Sequence, residues 1–475
     1  MGELWERDAW ELAEGVRRRE LRATELLDTF LARIEKFDRE LNAFGFMDVD
    51  AARTRAAEID AAAARGDDPG VWAGVPMGVK ELAAVEGWPD THASQVFADD
   101  IAERDCTEVA RLRAAGAVFV GLTTAPEFGA VNWTRSALHG TTRNPWNPER
   151  TPGGSSGGSA AAVSVGMMPI CTGSDGGGSI RIPSSYCGLF GFKVSFGRVG
   201  NSGAFDNGLT SVPGPMCRSV RDAARYVDAI AGPTAIDPTS LPRPVRRYEE
   251  AITSGDAQGR LSGLKAAWSS TLGFAVCDPE VEKLAHEAAL ALCADAGIEL
   301  VDVDVQLPRP GRAWALISTL SGATERGERV FEHLDQLTPV TRPGYEELRD
   351  QRSLEPLLTA LRRRDQLLAA IARVFDEVDL LLTPTVALTA FVAEGPPPME
   401  IAGQRVGGMG SVPYTAPFNI SGMPAVSIPA GNAPDGLPVG LQVVTRRHDE
   451  ELVLGCGAVA EENRPWAKFA PMAFS

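Results

Sequence analysis

Thr151-Pro-Gly-Gly-Ser-Ser-Gly-Gly-Ser-Ala-Ala-Ala-Val-Ser-Val-Gly166 is the stretch on which the reading of this chain turns. Its Gly/Ser half fits a flexible linker, but linkers are flanked by polar sequence and this one runs straight into an apolar, alanine-rich segment that predicts a buried helix over 159–166. It also fits Gly-x-Ser-x-Gly in two registers, centred on Ser155 and Ser156. That nucleophile elbow needs a strand immediately before the serine, and the three prolines of Asn144-Pro-Trp-Asn-Pro-Glu-Arg-Thr-Pro152 argue against a central strand there. Residues 167–172 then read as a buried strand leading to a second glycine cluster at 176–178.

Ser174-Asp-Gly-Gly-Gly-Ser-Ile-Arg-Ile-Pro183 is the second signal. Three successive glycines let backbone N–H groups converge on one point, which suits an oxyanion receptor as well as it suits a tight turn. Lys80 is the third. It closes the short apolar run Gly74-Val-Pro-Met-Gly-Val-Lys80, in a chain with only six lysines against 40 arginines. A strand-end lysine can snorkel to the surface. Taken out of water instead, it loses proton affinity and can act as a neutral base, a role closed to arginine.

Outward from these motifs, residues 1–70 read as an N-terminal helical segment packed against a domain over 71–475. Thr107–Ala115 predicts a helix and Val118–Leu122 a strand. Helices are expected over 218–232, 278–296, 352–378 and 450–462, with strands at 300–305, 378–383, 425–428 and 438–444. The alternation predicts an α/β fold with a central mixed sheet and helices on both faces.

A net charge of −17 disfavours nucleic acid and anionic membranes as partners. No apolar stretch reaches the roughly 20 residues of a membrane span, and the acidic start is unlike a signal peptide, so a cytoplasmic protein is expected. Seven scattered cysteines and five histidines show no Cys-x-x-Cys and no His-Glu-x-x-His. Neither a disulfide framework nor a metal site is expected, and without a phosphate-binding loop no cofactor is.

Together the three signals resemble the amidase signature family of serine hydrolases. Ser179 follows Ser155 by 24 residues and Lys80 by 99, and flanking segments match as well: Asn144-Pro-Trp146, Cys187-Gly-Leu-Phe-Gly-Phe-Lys193, Leu381-Leu-Thr-Pro384, and Pro417-Phe-Asn-Ile-Ser-Gly-Met-Pro-Ala-Val-Ser427 with Gly436-Leu-Pro-Val-Gly-Leu-Gln442. The likeness spans about residues 5–470 and implies one catalytic domain. It implies Ser179 as the acylated nucleophile, Lys80 as base and Ser155, held in a cis peptide in this family, as proton relay. The amides of Gly176, Gly177, Gly178 and Ser179 would form the oxyanion hole. Gly129, with Ala130 and Trp133, would line the acyl pocket, and Ser156, Asp175 and Arg181 would support the site. Around 310–345, Trp314 and Phe331 are further pocket candidates.

Two departures stand out. Gly176 replaces the Ile or Thr common before Gly-Gly-Ser, and Val194-Ser195 follows Lys193 where Pro-Thr is usual. The Asp-Gly-Gly-Gly-Ser-Ile-Arg-Ile-Pro form is similar to that of bacterial acylamidases, 6-aminohexanoate-cyclic-dimer hydrolases and hydrazidases. The implied substrate is a small carboxamide or acyl-hydrazide. A glutaminase-type subunit of a tRNA-dependent amidotransferase and an α/β-hydrolase-type esterase acting through Ser155 stand as alternatives, and a homodimer is left open.

Overall fold

The computed structural model describes residues 3–201 and 210–475. Eleven strands build one mixed sheet: β1 Phe44–Met47, β2 Pro76–Lys80, β3 Val118–Thr123, β4 Ile170–Asp175, β5 Phe190–Lys193, β6 Val212–Cys217, β7 Lys265–Trp268, β8 Glu299–Leu300, β9 Leu380–Pro384, β10 Ala425–Asn432 and β11 Pro438–Thr445. Their order is β1-β3-β2-β4-β6-β5-β10-β11-β9-β7-β8. The central strands are buried on both faces, as expected of near-continuous apolar runs covered by helices. The expected α/β architecture is the one observed.

The helices used below are α1 Ala9–Arg17, α2 Ala23–Leu41, α3 Val49–Arg65, α4 Thr107–Ala114, α5 Gly157–Ser164, α6 Arg181–Cys187, α7 Val220–Ile230, α8 Pro279–Ala296, α9 Gly311–Arg326, α10 Arg342–Asp350, α11 Glu355–Glu377 and α12 Glu450–Asn463. Every residue of α5 is buried, because glycine, alanine and serine let it lie close over β2 and β4. A single apolar cluster runs from Trp5 near one end of the chain to Ala473 near the other. No helix among the described residues is long and apolar enough to cross a membrane.

Two local expectations give way. The helical reading of residues 1–70 misses β1, which pairs antiparallel with β3 (Phe44 opposite Thr123). Asn42, at φ 53°, ends α2, and the Asp38 carboxylate accepts the Ala43 amide at 2.7 Å, so the aromatic run Phe44-Gly-Phe-Met47 turns back as an edge strand. The strand expected over 300–305 shrinks to Glu299–Leu300. Beyond it the alternation of Asp302 and Asp304 with valines lies past the sheet edge and has no partner strand.

Register sets the position of the site. β2 and β4 run parallel, with Met77 opposite Ile170 and Gly78 opposite Cys171. Lys80 and the Ser174–Asp175 end of β4 therefore emerge side by side at the carboxyl ends of neighbouring strands, where open α/β sheets place their ligands.

Candidate active site

Lys80 is 1% exposed at the end of β2, its amide donating to Thr172 Oγ1 at 2.8 Å. Its Nζ donates to Ser155 Oγ at 2.8 Å and to Ser174 Oγ at 2.9 Å, with Ser174 O at 3.5 Å. These three acceptors are uncharged oxygens, and the buried Glu108 carboxyl lies within electrostatic reach of the amine. Ser155 follows a cis Gly154–Ser155 peptide. The backbone before it, from Thr151 to Gly154, is irregular, so the strand required by a nucleophile elbow is absent. Ser156 lies behind this pair, its hydroxyl 3.4 Å from both the N and O of Ser174.

Ser179 is half-buried in the turn between β4 and α6, and Ser155, Ser174 and Ser179 line one cavity of about 270 Å³. The loop between β4 and Ser179 is held by its carbonyls. Asn419 Nδ2 donates to Asp175 O at 2.7 Å and Trp314 Nε1 to Gly176 O at 3.1 Å. Thr415 Oγ1 donates to Gly177 O at 2.6 Å, and the Ile182 amide to Gly178 O at 2.7 Å. In a trans peptide the N–H points opposite the C=O. Four pinned carbonyls thus fix four N–H directions, those of Gly176, Gly177, Gly178 and Ser179.

One of these donors is already taken. The Gly178 amide donates to Asp175 Oδ1 at 2.7 Å, which removes Gly178 from the expected oxyanion set. The amides of Gly176, Gly177 and Ser179 make no hydrogen bond to described residues. Gly178 has φ +130°, and a Cβ there would lie 2.3 Å from Thr415 Oγ1, so only glycine fits this turn.

Asp175 and Arg181 lock the turn from below. Both are fully buried; Nε and Nη2 of Arg181 each donate to the carboxylate at 2.9 Å. Burial by itself would raise the Asp175 pKa, but the Arg181 charge and its hydrogen bonds outweigh that and hold the carboxyl below the usual carboxylate range. Arg181 also donates to Gln442 Oε1, Asn419 Oδ1 and Thr415 O. A second buried lysine, Lys193, donates to Met423 O at 2.6 Å and Val194 O at 3.1 Å. Burial, then the nearby Arg181 charge, bring its pKa down to about 7.

Comparison with known proteins returns the same family as the motifs: the model of the Amidase family matches residues 25–454. The chain belongs to the amidase family. It is 33% identical to the acylamidase of Rhodococcus erythropolis, over 98% of this chain and 96% of that one. It is 34% identical to a glutamyl-tRNA(Gln) amidotransferase subunit of Roseiflexus sp. (strain RS-1), over 95% of each. The crystal structure of a bacterial aryl acylamidase of the amidase signature family superposes with a TM-score of 0.90 at 29% identity, covering 98% of both chains.

In this amidase, Gly129 and Ala130 line the cavity that holds Ser155 and Ser179, at a turn where Phe128 and Gly129 both have positive φ. Trp133 does not. It lies 9% exposed in a separate apolar cluster, edge-on to Phe391 at 6.4 Å, because the chain turns at Val131–Asn132 and sends the indole behind the pocket wall. Trp314, on α9, does reach the cavity, with Leu82, His92, Arg326 and Tyr345. Phe331 packs against Tyr345 instead, with centroids 6.0 Å apart. Sequence reasoning missed the Ser174 hydroxyl as an acceptor for Lys80. It also missed the roles of Thr415, Asn419 and Gln442. Their signal was present in the polar residues of otherwise apolar 415–427 and 436–442, but which loop they grip depends on the fold. Among the described residues no cluster of His, Cys, Asp and Glu could hold a metal ion.

Proposed function

We propose that this amidase hydrolyses the C(=O)–N bond of small carboxamides or acyl-hydrazides through an acyl-enzyme on Ser179. The observation that carries the reading is the 2.8 Å contact between Lys80 Nζ and Ser155 Oγ, with Ser155 in turn lining a cavity shared with Ser179 and bordered by uncommitted backbone amides. A serine hydroxyl is a weak nucleophile and needs a base. Ser155 takes the Ser179 proton while passing its own to the uncharged Lys80 amine, and Ser179 Oγ bonds to the substrate carbonyl carbon. The resulting oxyanion is met by the N–H groups of Gly177 and Ser179, with Gly176 beside them.

Collapse of that intermediate breaks the C–N bond. The departing nitrogen takes a proton from Ser155, which is restored from Lys80, so the leaving group departs as a neutral amine or hydrazine. Water then enters, gives its proton along the same chain and frees the carboxylic acid. Every proton is returned, and the cycle uses side chains, backbone amides and water.

Acyl-hydrazides stand beside carboxamides as candidate substrates on the resemblance of the Asp-Gly-Gly-Gly-Ser-Ile-Arg-Ile-Pro form to hydrazidases as well as acylamidases. The glutaminase-subunit reading is kept as an alternative by the similarity to the Roseiflexus protein. Turnover by the purified chain separates the two, since a subunit dependent on partners is expected to leave free aryl amides and hydrazides intact. Ser179→Ala should abolish turnover of an anilide and of a benzhydrazide while leaving the circular dichroism spectrum unchanged. Wild-type rates from Ser179→Ala would overturn the assignment.

A further inference from the structure

Gly176 makes the loop before Ser179 looser than the branched residue common at that position, yet the loop carries donors that must be aimed accurately. Three of its four pinned carbonyls are held from within the sheet side of the site, by Asn419, Thr415 and the first turn of α6. The carbonyl of Gly176 is the exception. Its donor is the indole N–H of Trp314, at 3.1 Å, from helix α9 on the opposite side of the cavity. That carbonyl belongs to the Gly176–Gly177 peptide, so its direction fixes the direction of the Gly177 N–H. The ring is also seated on the loop. A Cβ on Gly177 would fall 2.6 Å from Trp314 Cζ2, so the indole occupies the space a side chain would need.

We infer that Trp314 is a positioning residue for catalysis: α9, which walls the substrate cavity, also aims the Gly177 oxyanion donor through the indole N–H. The inference rests on the hydrolase reading above. It gives the pocket wall a part in rate as well as in affinity. Because Trp314 lines the cavity while holding the loop, a substrate that presses on the ring acts on the donor directly. Trp314 touches the reacting atoms only through Gly176 and Gly177, and its effect belongs in the transition state, where the oxyanion exists, rather than in ground-state binding.

The test is Trp314→Phe, which keeps an aromatic wall and deletes the N–H. Losing an oxyanion donor outright costs about 100–1,000-fold in kcat, and loosening one should cost about tenfold. The expected result with an anilide is therefore about a tenfold fall in kcat with KM within about twofold. Binding of phenylboronic acid, which forms a tetrahedral adduct on serine, should weaken by the same factor. Gly177→Ala provides a second route to the same effect by pushing the ring from the other side. It should give the same kcat-limited signature, and should cost less when introduced into Trp314→Ala, where the space is free. Unchanged kcat in Trp314→Phe, or a raised KM with boronate binding intact, would overturn the inference and leave Trp314 a simple wall. Ser179→Ala assayed alongside keeps the two questions apart. If it is inactive while Trp314→Phe is wild-type, the inference alone fails; if Ser179→Ala turns over, the reading of the site fails first.

Discussion

The two sides of the cavity are held by different means. On the sheet side, Lys80, Ser155, Asp175 and Arg181 are at most 3% exposed, and Lys80, Asp175 and Arg181 are held by partners drawn from several strands and loops. On the opposite side, α9, α10 and the segment joining them offer mostly half-exposed or exposed side chains, and grip the sheet side through contacts such as Trp314 with Gly176 and Thr338 with Glu127. A buried, multiply bonded floor resists displacement, because any movement breaks several desolvated hydrogen bonds together. A wall held by a few polar contacts can be remodelled at modest cost. On the proposed reading, the chemistry that needs sub-ångström placement sits on the floor, and recognition of a particular acyl or leaving group falls to the wall.

Substitutions should sort along that line. The largest effect is expected from Lys80→Ala, which removes the proposed base from the floor. Its kcat should fall on the order of 10,000-fold or more, since catalytic groups that act as a unit fail together. Steady-state kinetics on purified protein reads it, and a loss of less than about tenfold would place the base elsewhere.

Asp175→Asn comes next, and its effect is on stability. Removing one partner of a buried ion pair leaves Arg181 uncompensated at a cost of about 3–5 kcal/mol. The sign of the pH dependence follows from the depressed carboxyl pKa. The unfolded chain titrates near pH 4, so the stabilisation is whole above about pH 4 and is lost as the pH falls further. Thermal midpoints of the wild type should drop steeply below pH 4, and the drop should be shallower in Asp175→Asn. Parallel acid limbs would contradict this.

On the wall, Glu127→Gln tests a weaker clamp. Glu127 Oε1 accepts from Ser94 Oγ at 2.8 Å, and Oε2 accepts from the amide and hydroxyl of Thr338 at 2.9 and 2.7 Å. Exchanging the carboxylate for an amide should cost about 0.5–1.5 kcal/mol and raise KM with kcat within about twofold. A drop in kcat alone would show that this clamp also reaches the chemistry. The smallest effect is expected from Trp133→Phe. With the ring behind the pocket wall, kcat and KM should both stay within about twofold of wild type. A large change in KM would return Trp133 to the substrate.

The same division governs what is legible in the sequence. The floor is written in contiguous motifs. Gly153–Ser159, Ser174–Pro183 and the lysine at a strand end carry their chemistry in residue type and spacing, so Lys80, Ser155 and Ser179 stand out together in the sequence; in the fold Lys80 Nζ meets Ser155 Oγ at 2.8 Å, and Ser155 shares a cavity with Ser179. The sheet is legible for the same reason, through apolar runs such as Leu380–Pro384 and Pro438–Thr445. The wall is not. Of three aromatics expected there, Trp314 alone faces the cavity, since periodicity fixes the face of a helix but not which neighbour that face meets. The expected oxyanion set is one residue too large for a related reason. Nothing in Gly176-Gly-Gly-Ser179 tells that the Asp175 carboxylate turns back to take the third amide. Sequence lists donors, and only the folded loop shows which are spent.

The claim beneath all of this is that Ser179, served by Ser155 and Lys80, carries the acyl group. The most direct test is intact-protein mass spectrometry after mixing with a panel of aryl and alkyl amides and hydrazides, followed by peptide mapping of the trapped adduct. The mass gained should equal the acyl group less the hydrogen it displaces, on the peptide and residue Ser179, and no adduct should form in Ser179→Ala. An acyl group mapped to Ser155 or Ser156, or an adduct that persists in Ser179→Ala, would contradict it.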